Sequence, residues 1–327
     1  MGSEMCIRDS ENRLENLSEE SRRRKDLGRF TLGSRIIHSL DCSSSIMEIL
    51  GLLSIAATGI IILGFFLLIA LWIRVQKLRP SNDRSWVNDN SRNTRIEFDG
   101  DLVKITNIRD FKWRTTKDYD EKWIDEEYDL KTVDSIWLTL EYFDPRHKQM
   151  AHTILSFQFE DGRRLACSIE VRREKGEVYH PIKGLFREYE LIYVWATERD
   201  VIGVRTRCRR HSVTHLFKAV VLGPGNERRM FESYLRRTND LANDPEWYNT
   251  LTNTCTTNIV RHVNEVYPKR VPKALSILMP GLSPKMLERA NLIEMKGTLE
   301  ETLVACEIDE KAKSWNEEDD FGDVIRS

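Results

Sequence analysis

The stretch Ala151–Arg172, AHTILSFQFEDGRRLACSIEVR, decides the architecture. From His152 to Phe159 apolar and polar residues alternate, and they do so again from Leu165 to Val171, which is the pattern of strands with one face buried. The runs meet at Asp161-Gly162, a pair suited to the positive φ angles of a tight turn, so the stretch reads as an antiparallel hairpin. Upstream, residues 94–113 predict two short strands around Asp99-Gly100, and SIWLTLEYF (135–143) predicts another. Downstream, ELIYVWAT (190–197) and DVIGVRTR (200–207) are expected to continue the sheet. Residues 226–244 then space Met230, Phe231, Tyr234, Leu235 and Leu241 for one helical face. The expected fold class is α+β, an antiparallel sheet packed against helices.

The 327 residues are 40% hydrophobic with a formal net charge of −2, enough for one ordinary core and without the basic footprint of a nucleic-acid binder. The run from Ile49 to Ile73 is apolar and uncharged; as a helix it would reach roughly 37 Å, enough for one membrane crossing. Residues 1–45 read as a disordered N-terminal segment, 46–74 as the transmembrane helix, and 75–94 as a polar linker. Residues 95–298 form the folded domain, and the acidic stretch 299–327 reads as a disordered tail. Basic residues following the helix, Arg74 to Arg92, outweigh those before it, which by the positive-inside rule places the domain in the cytoplasm.

Six cysteines lie far apart with no CxxC pair, so no disulfide framework or four-cysteine zinc site is written in the spacing. Cys255, in LTNTCTTNIVRHVNEVYP (251–268), is the one placed for chemistry. It opens an apolar pattern with helical spacing through Ile259, Val263 and Val266, so it falls in the first turn of a helix. There the free N–H groups and the positive end of the dipole favour a thiolate, and the amides of Cys255 or Thr256 can hold an oxyanion. Asn253 or Thr254 is the expected cap. The bland alternative is a small buried cysteine.

A thiol nucleophile needs a base. His262 shares the helix but lies about 10 Å along it, beyond hydrogen-bond reach. Cys208, His211 and His215 resemble a metal-ligand string, yet RCRRHSVTHLF (207–217) alternates like a strand and would point the first two to opposite faces, so no metal site or cofactor is expected. His152 opens the hairpin at a sheet edge where a helix N-terminus can pack. Glu170 on the partner strand is the candidate orienting group. A two-residue turn would set Val171 opposite His152, so Glu170 needs a longer turn or a bulge. Tyr179, Lys183 and Arg187, in RREKGEVYHPIKGLFREYE (172–190), are candidates for a wall that binds phosphate or carboxylate, the alternative being a solvated loop.

Several strings in order, AHTILSFQFEDGRRLACSIEVR, GLFREYE, ATERD, PEWYNTLTNTCTTNI and PGLSPKMLERANLI, resemble the Lnb N-terminal periplasmic domain family of bacteria over roughly residues 95–295. The resemblance implies a permuted papain-like thiol fold, with His152 and Cys255 matching the motif histidine and cysteine. It implies a soluble domain on the periplasmic side of the inner membrane, against the charge count, and a phospholipid or lipoprotein substrate for acyl transfer or hydrolysis. A peptidoglycan amidase or peptidase of the same chemistry, and a non-catalytic envelope scaffold, remain the alternatives. Thr254 and His180 stand where asparagine and serine are expected.

Overall fold

The structure, a computed structural model, describes residues 47–72, 74, 79–147, 149–268, 270–271 and 280–327. The segment 1–45 and part of the linker, 75–78, lie outside the described residues. Two units are distinct, Met1–Lys77 and Leu78–Ser327. In the first, a helix α1 spans Met47–Trp72, with a mean hydropathy of 2.7 in its most apolar window and none of that window buried. Its length and composition suffice to cross a membrane.

Among the described residues the second unit holds ten strands: β1 (Arg95–Asp99), β2 (Leu102–Arg109), β3 (Lys112–Trp113), β4 (Tyr119–Asp120), β5 (Trp123–Asp129), β6 (Val133–Tyr142), β7 (Ala151–Phe159), β8 (Arg164–Arg172), β9 (Glu190–Ala196) and β10 (Val213–Lys218). The main sheet runs β1-β2-β9-β8-β7-β6-β10, with β5 also on β2. Neighbours are antiparallel except β2 and β9, which meet in parallel at Arg109↔Ala196. On one face lie α4 (Asn226–Asn243) and α5 (Cys255–Val266), counting α2 (Glu198–Val201) and α3 (Gly203–Cys208) before them. Leu155, Phe157, Cys167, Ile169 and Trp195 share a core with Phe231 and Tyr234 of α4. Ile154, Ala166 and Ala196, alternating with them along the strands, share a second core with Val201 and Ile202.

The β7–β8 turn is longer than the Asp161-Gly162 pair implies. Phe159 N–H donates to Arg163 O at 3.0 Å, and Gly162, at φ 85°, completes a three-residue turn. The pairs then run from Gln158↔Arg164 to Ile154↔Ser168. Continued by two residues, this register sets His152 across from Glu170 and not Val171.

Several expectations are corrected. DVIGVRTR does not extend the sheet but forms α2 and α3. Thr197 caps the first by accepting from Asp200 N–H, and the adjacent Val201 and Ile202 are both fully buried, which a strand with one covered face would not do. RCRRHSVTHLF is likewise not one strand; α3 ends at Cys208 and β10 begins at Val213.

The acidic tail is helical and docked, over Leu299–Cys306, Asp309–Ser314 and Phe321–Arg326. Ile308, Ala312, Phe321 and Ile325, spaced four apart in pairs, fill the second core, while Arg326 joins buried Glu198 at 2.6 Å. Net charge concealed these apolar stripes. The linker from Ser81 onward also lies on the domain. Trp86 is buried beneath the Arg172 guanidinium at 4.3 Å, and Arg172 Nε donates to Asn90 O at 2.9 Å. Phe321→Ala should therefore cost about 3–5 kcal/mol, the usual range for a buried aromatic. A urea-unfolding midpoint equal to that of the wild type would show the tail to be dispensable.

Candidate functional site

Cys255 is the first residue of α5, and its placement follows from local polar chemistry. Thr254 Oγ1 accepts from Thr257 N–H at 3.2 Å and Thr257 Oγ1 accepts from Thr254 N–H at 2.7 Å, a reciprocal cap. Asn253 does not cap; its amide donates to Trp247 O at 2.9 Å and its carbonyl accepts from Asn258 Nδ2 at 2.8 Å, which holds the approach loop. The remaining first-turn amides, Cys255 and Thr256 N–H, are not used by this cap. His262 lies behind the site, between Tyr193 OH at 2.9 Å and Ser233 Oγ at 2.6 Å. Burial, aided by Arg261 and Arg237, pushes its pKa down to about 3, so it is a neutral brace joining α5 to β9 and α4.

His152 is positioned where β7 and β8 part. Their ladder stops at Ile154↔Ser168, while β6–β7 pairing continues to Tyr142↔Ala151 and β8–β9 pairing to Arg172↔Glu190. Within this opening His152 Nε2 lies 2.8 Å from Ser168 Oγ and 3.4 Å from Glu170 Oε1. Ser168 O–H donates to Glu170 at 2.6 Å, so the Nε2–H donates in turn to Ser168. Nε2 is thereby occupied, and Nδ1 is the ring nitrogen that Ser168 does not engage. Behind Glu170, Arg205 donates to the same carboxylate oxygen at 2.5 Å and sits 3.1 Å from Glu141, in ion-pair rather than hydrogen-bond geometry. Arg209 contacts the other Glu141 oxygen at 2.6 Å.

These contacts set the protonation states. Burial alone would raise the Cys255 pKa, but the His152 imidazolium and hydrogen bonds from His152 and Thr153 outweigh it and bring the thiol down to about 6. Burial would likewise discharge His152; the Glu170 carboxylate and the Cys255 thiolate prevail and raise it to about 9. Glu170, although burial opposes its charge, is held well below the usual carboxylate range by His152 and Arg205. Each member favours the charged form of the other, so the contacts push the thiol toward thiolate and the imidazole toward imidazolium.

The pair opens into a cleft of about 510 Å³ whose walls include Cys255, His152, Glu170, Thr254, Tyr179 and Tyr248. Lys183 and Arg187 do not line it; the structure places them on the adjoining turn. Thr256 Oγ1 lies 3.8 Å from the Cys255 sulfur and 3.5 Å from Thr153 Oγ1. Ser168, Thr153, Arg205, Glu141 and Tyr248 are site residues that the spacing argument misses. Ser168 was within reach of it, since it precedes Glu170 by two on a strand and shares its face. Cys208 ends α3, whereas His215 is buried in β10 and stacks on Phe217 at 5.9 Å. Among the described residues no group of three or more His, Cys, Asp or Glu is arranged to hold a metal ion.

Residues 119–281, about half of the chain, match the profile of the Lnb N-terminal periplasmic domain family. No curated protein and no solved structure matches the chain. A periplasmic domain and one apolar helix are those of a membrane-associated envelope protein.

The ion pair has a measurable consequence. Alkylation by iodoacetamide at Cys255, read against Cys255→Ala, should rise with a midpoint near pH 6, because the thiol is protonated below it and a thiolate above it. His152→Ala removes the main lowering influence and leaves burial, so the midpoint should move above 9, the ordinary thiol value. A wild-type midpoint already near 9 would contradict the pairing.

Proposed function

We propose that this chain, which belongs to the Lnb N-terminal periplasmic domain family, is a cysteine-dependent acyltransferase or hydrolase of the cell envelope. The observation that carries the reading is the placement of Cys255, at a helix N-terminus, and His152 in the wall of one cleft, with the Glu170 carboxylate 3.4 Å behind the imidazole. A helix-borne thiol and a strand-borne imidazole, with histidine earlier in the chain, correspond to a permuted papain-like arrangement.

In this reading the Cys255 sulfur attacks an ester or amide carbonyl, and the oxygen takes the negative charge of a tetrahedral intermediate. The Cys255 and Thr256 amides are the candidate donors to that oxygen. As the intermediate collapses, the imidazolium gives its Nδ1 proton to the departing alcohol or amine, leaving a thioester on Cys255 and a neutral imidazole. An amine or water then yields a proton to His152 while attacking the thioester, and the thiolate returns. Glu170, reinforced by Arg205, orients the ring and stabilises its charge. Tyr179 and Tyr248 supply an aromatic wall for the substrate. The domain side of the membrane follows the family, and the inner membrane is the expected one.

A lipid or lipoprotein substrate suits a chain that carries its own apolar helix. Purified full-length protein in detergent, incubated with phospholipid and read by intact mass, should gain one acyl group that hydroxylamine releases and Cys255→Ala never acquires. If no adduct forms with phospholipid while peptidoglycan fragments are cleaved, the chemistry stands and the substrate does not. No reaction with either would leave a non-catalytic scaffold.

A further inference from the structure

Large apolar side chains that face water are gathered at both lips of the cleft. On one lip Val178 is 76% exposed, Ile182 59% and Leu251 52%, with Phe186 beside them; on the other lie Met150, 50% exposed, and Phe143. Met150 and Phe143 themselves line the cleft, as do Tyr179, Pro181 and Thr250, which neighbour the first group in sequence. The two lips therefore flank one opening.

The first lip is a fixed surface. Thr250 N–H donates to Gly184 O at 3.3 Å, and Thr250 Oγ1 donates to Pro181 O at 2.7 Å. The loops meet so closely that a Cβ on Gly184 would fall 2.4 Å from Thr250 Oγ1. Tyr189 OH donates to Val178 O at 2.9 Å and accepts from His180 N–H at 3.1 Å. With its backbone tied down at each of these points, the turn presents Ile182 and Phe186 outward. A fixed apolar cluster in water marks a surface that something else covers.

The chain itself indicates what that is. Helix α1, long and apolar enough to cross a membrane, is still helical at Arg74, seven positions in sequence before Ser81, whose amide is already bonded to Glu190 of the domain at 3.1 Å. Lys183, within the apolar turn, is exposed, as suits contact with lipid phosphate. Aliphatic and aromatic side chains next to a basic one are the composition of surfaces that sit in the bilayer interface. We propose that the rim formed by Val178, Ile182, Phe186, Leu251, Met150 and Phe143 inserts into the interfacial layer of the membrane, with the cleft mouth against lipid. The proposal concerns where the cleft sits and goes beyond the thiol chemistry; it holds equally for a protein with an inert Cys255.

The test uses the full-length chain reconstituted in vesicles of phosphatidylcholine and phosphatidylglycerol. The photoreactive substitutions Ile182→p-benzoylphenylalanine and Leu251→p-benzoylphenylalanine are compared with Leu102→p-benzoylphenylalanine, an apolar position of similar exposure, 50%, at the far end of β2 from the cleft residue Arg109. After illumination, intact mass should show phospholipid adducts at 182 and 251, at least several-fold above those at 102, in the wild type and in Cys255→Ala alike. No lipid adduct at 182 and 251, or equal adducts at all three positions, would overturn the proposal. Because the cross-link needs no turnover, its failure is separate from failure of the acyl-enzyme.

Discussion

Six groups alternate in charge across the site: Arg209, Glu141, Arg205, Glu170, His152 and Cys255. Taking one ion out of water costs several kcal/mol, and a single neighbour 4 Å away returns about 4 kcal/mol at an effective dielectric near 20. One pair alone does no better than break even. Each inner member of this series has a group of opposite formal charge on both sides, so no buried charge in it faces apolar surroundings alone. The ends are relieved differently: the Arg209 side chain is 36% exposed, and Cys255 sits at the positive end of α5. The polar series behind Cys255 thus reaches residues as distant along the chain as Glu141 and Arg209.

The series requires an opening in a sheet whose faces are otherwise covered. β7 and β8 part after Ile154↔Ser168, and that end receives the N-terminus of α5 from one side and Arg205 of α3 from the other. The three-residue turn at the opposite end of the hairpin sets the register that brings Glu170 across from His152. A turn one residue shorter would present Val171 instead and reverse the faces of the whole strand. Turn length at residues 160–162 therefore fixes which side chain stands behind the imidazole, some eight residues away.

How much of this could be read from the residues depends on the range of the interaction. Period-two alternation in 151–172 and helical spacing after Cys255 are local, and they locate the two elements on which His152 and Cys255 lie. The cap is local too, although Asn253 and Thr254 were equal candidates until the hydrogen bonds to Thr257 and Trp247 distinguished them. Arg205 and Glu141 were illegible because their roles exist only after α3 packs on the sheet. DVIGVRTR misled for the same reason: its apolar residues are buried by the C-terminal helices, whose acidic composition hides Ile308, Phe321 and Ile325. Tyr248 lies in a polar loop with no periodicity, so no pattern marks it.

Coverage of both sheet faces also limits where a substrate can approach. The α4 and α5 layer closes one face, and α2, α3 and the C-terminal helices close the other. The end at which β7 and β8 separate stays open, and its walls carry Cys255 and His152 inside and apolar side chains at the lip. A water-soluble substrate would be served by a polar lip, whose upkeep costs nothing in solvation. An amphiphile that must leave an apolar phase is better served by a lip of the same polarity as its tail, because the transfer then exposes less apolar surface to water at about 25 cal/mol per Å². In the proposed reading, the rim and the buried sulfur serve one requirement: an acyl chain meets apolar side chains at the lip before its carbonyl reaches Cys255.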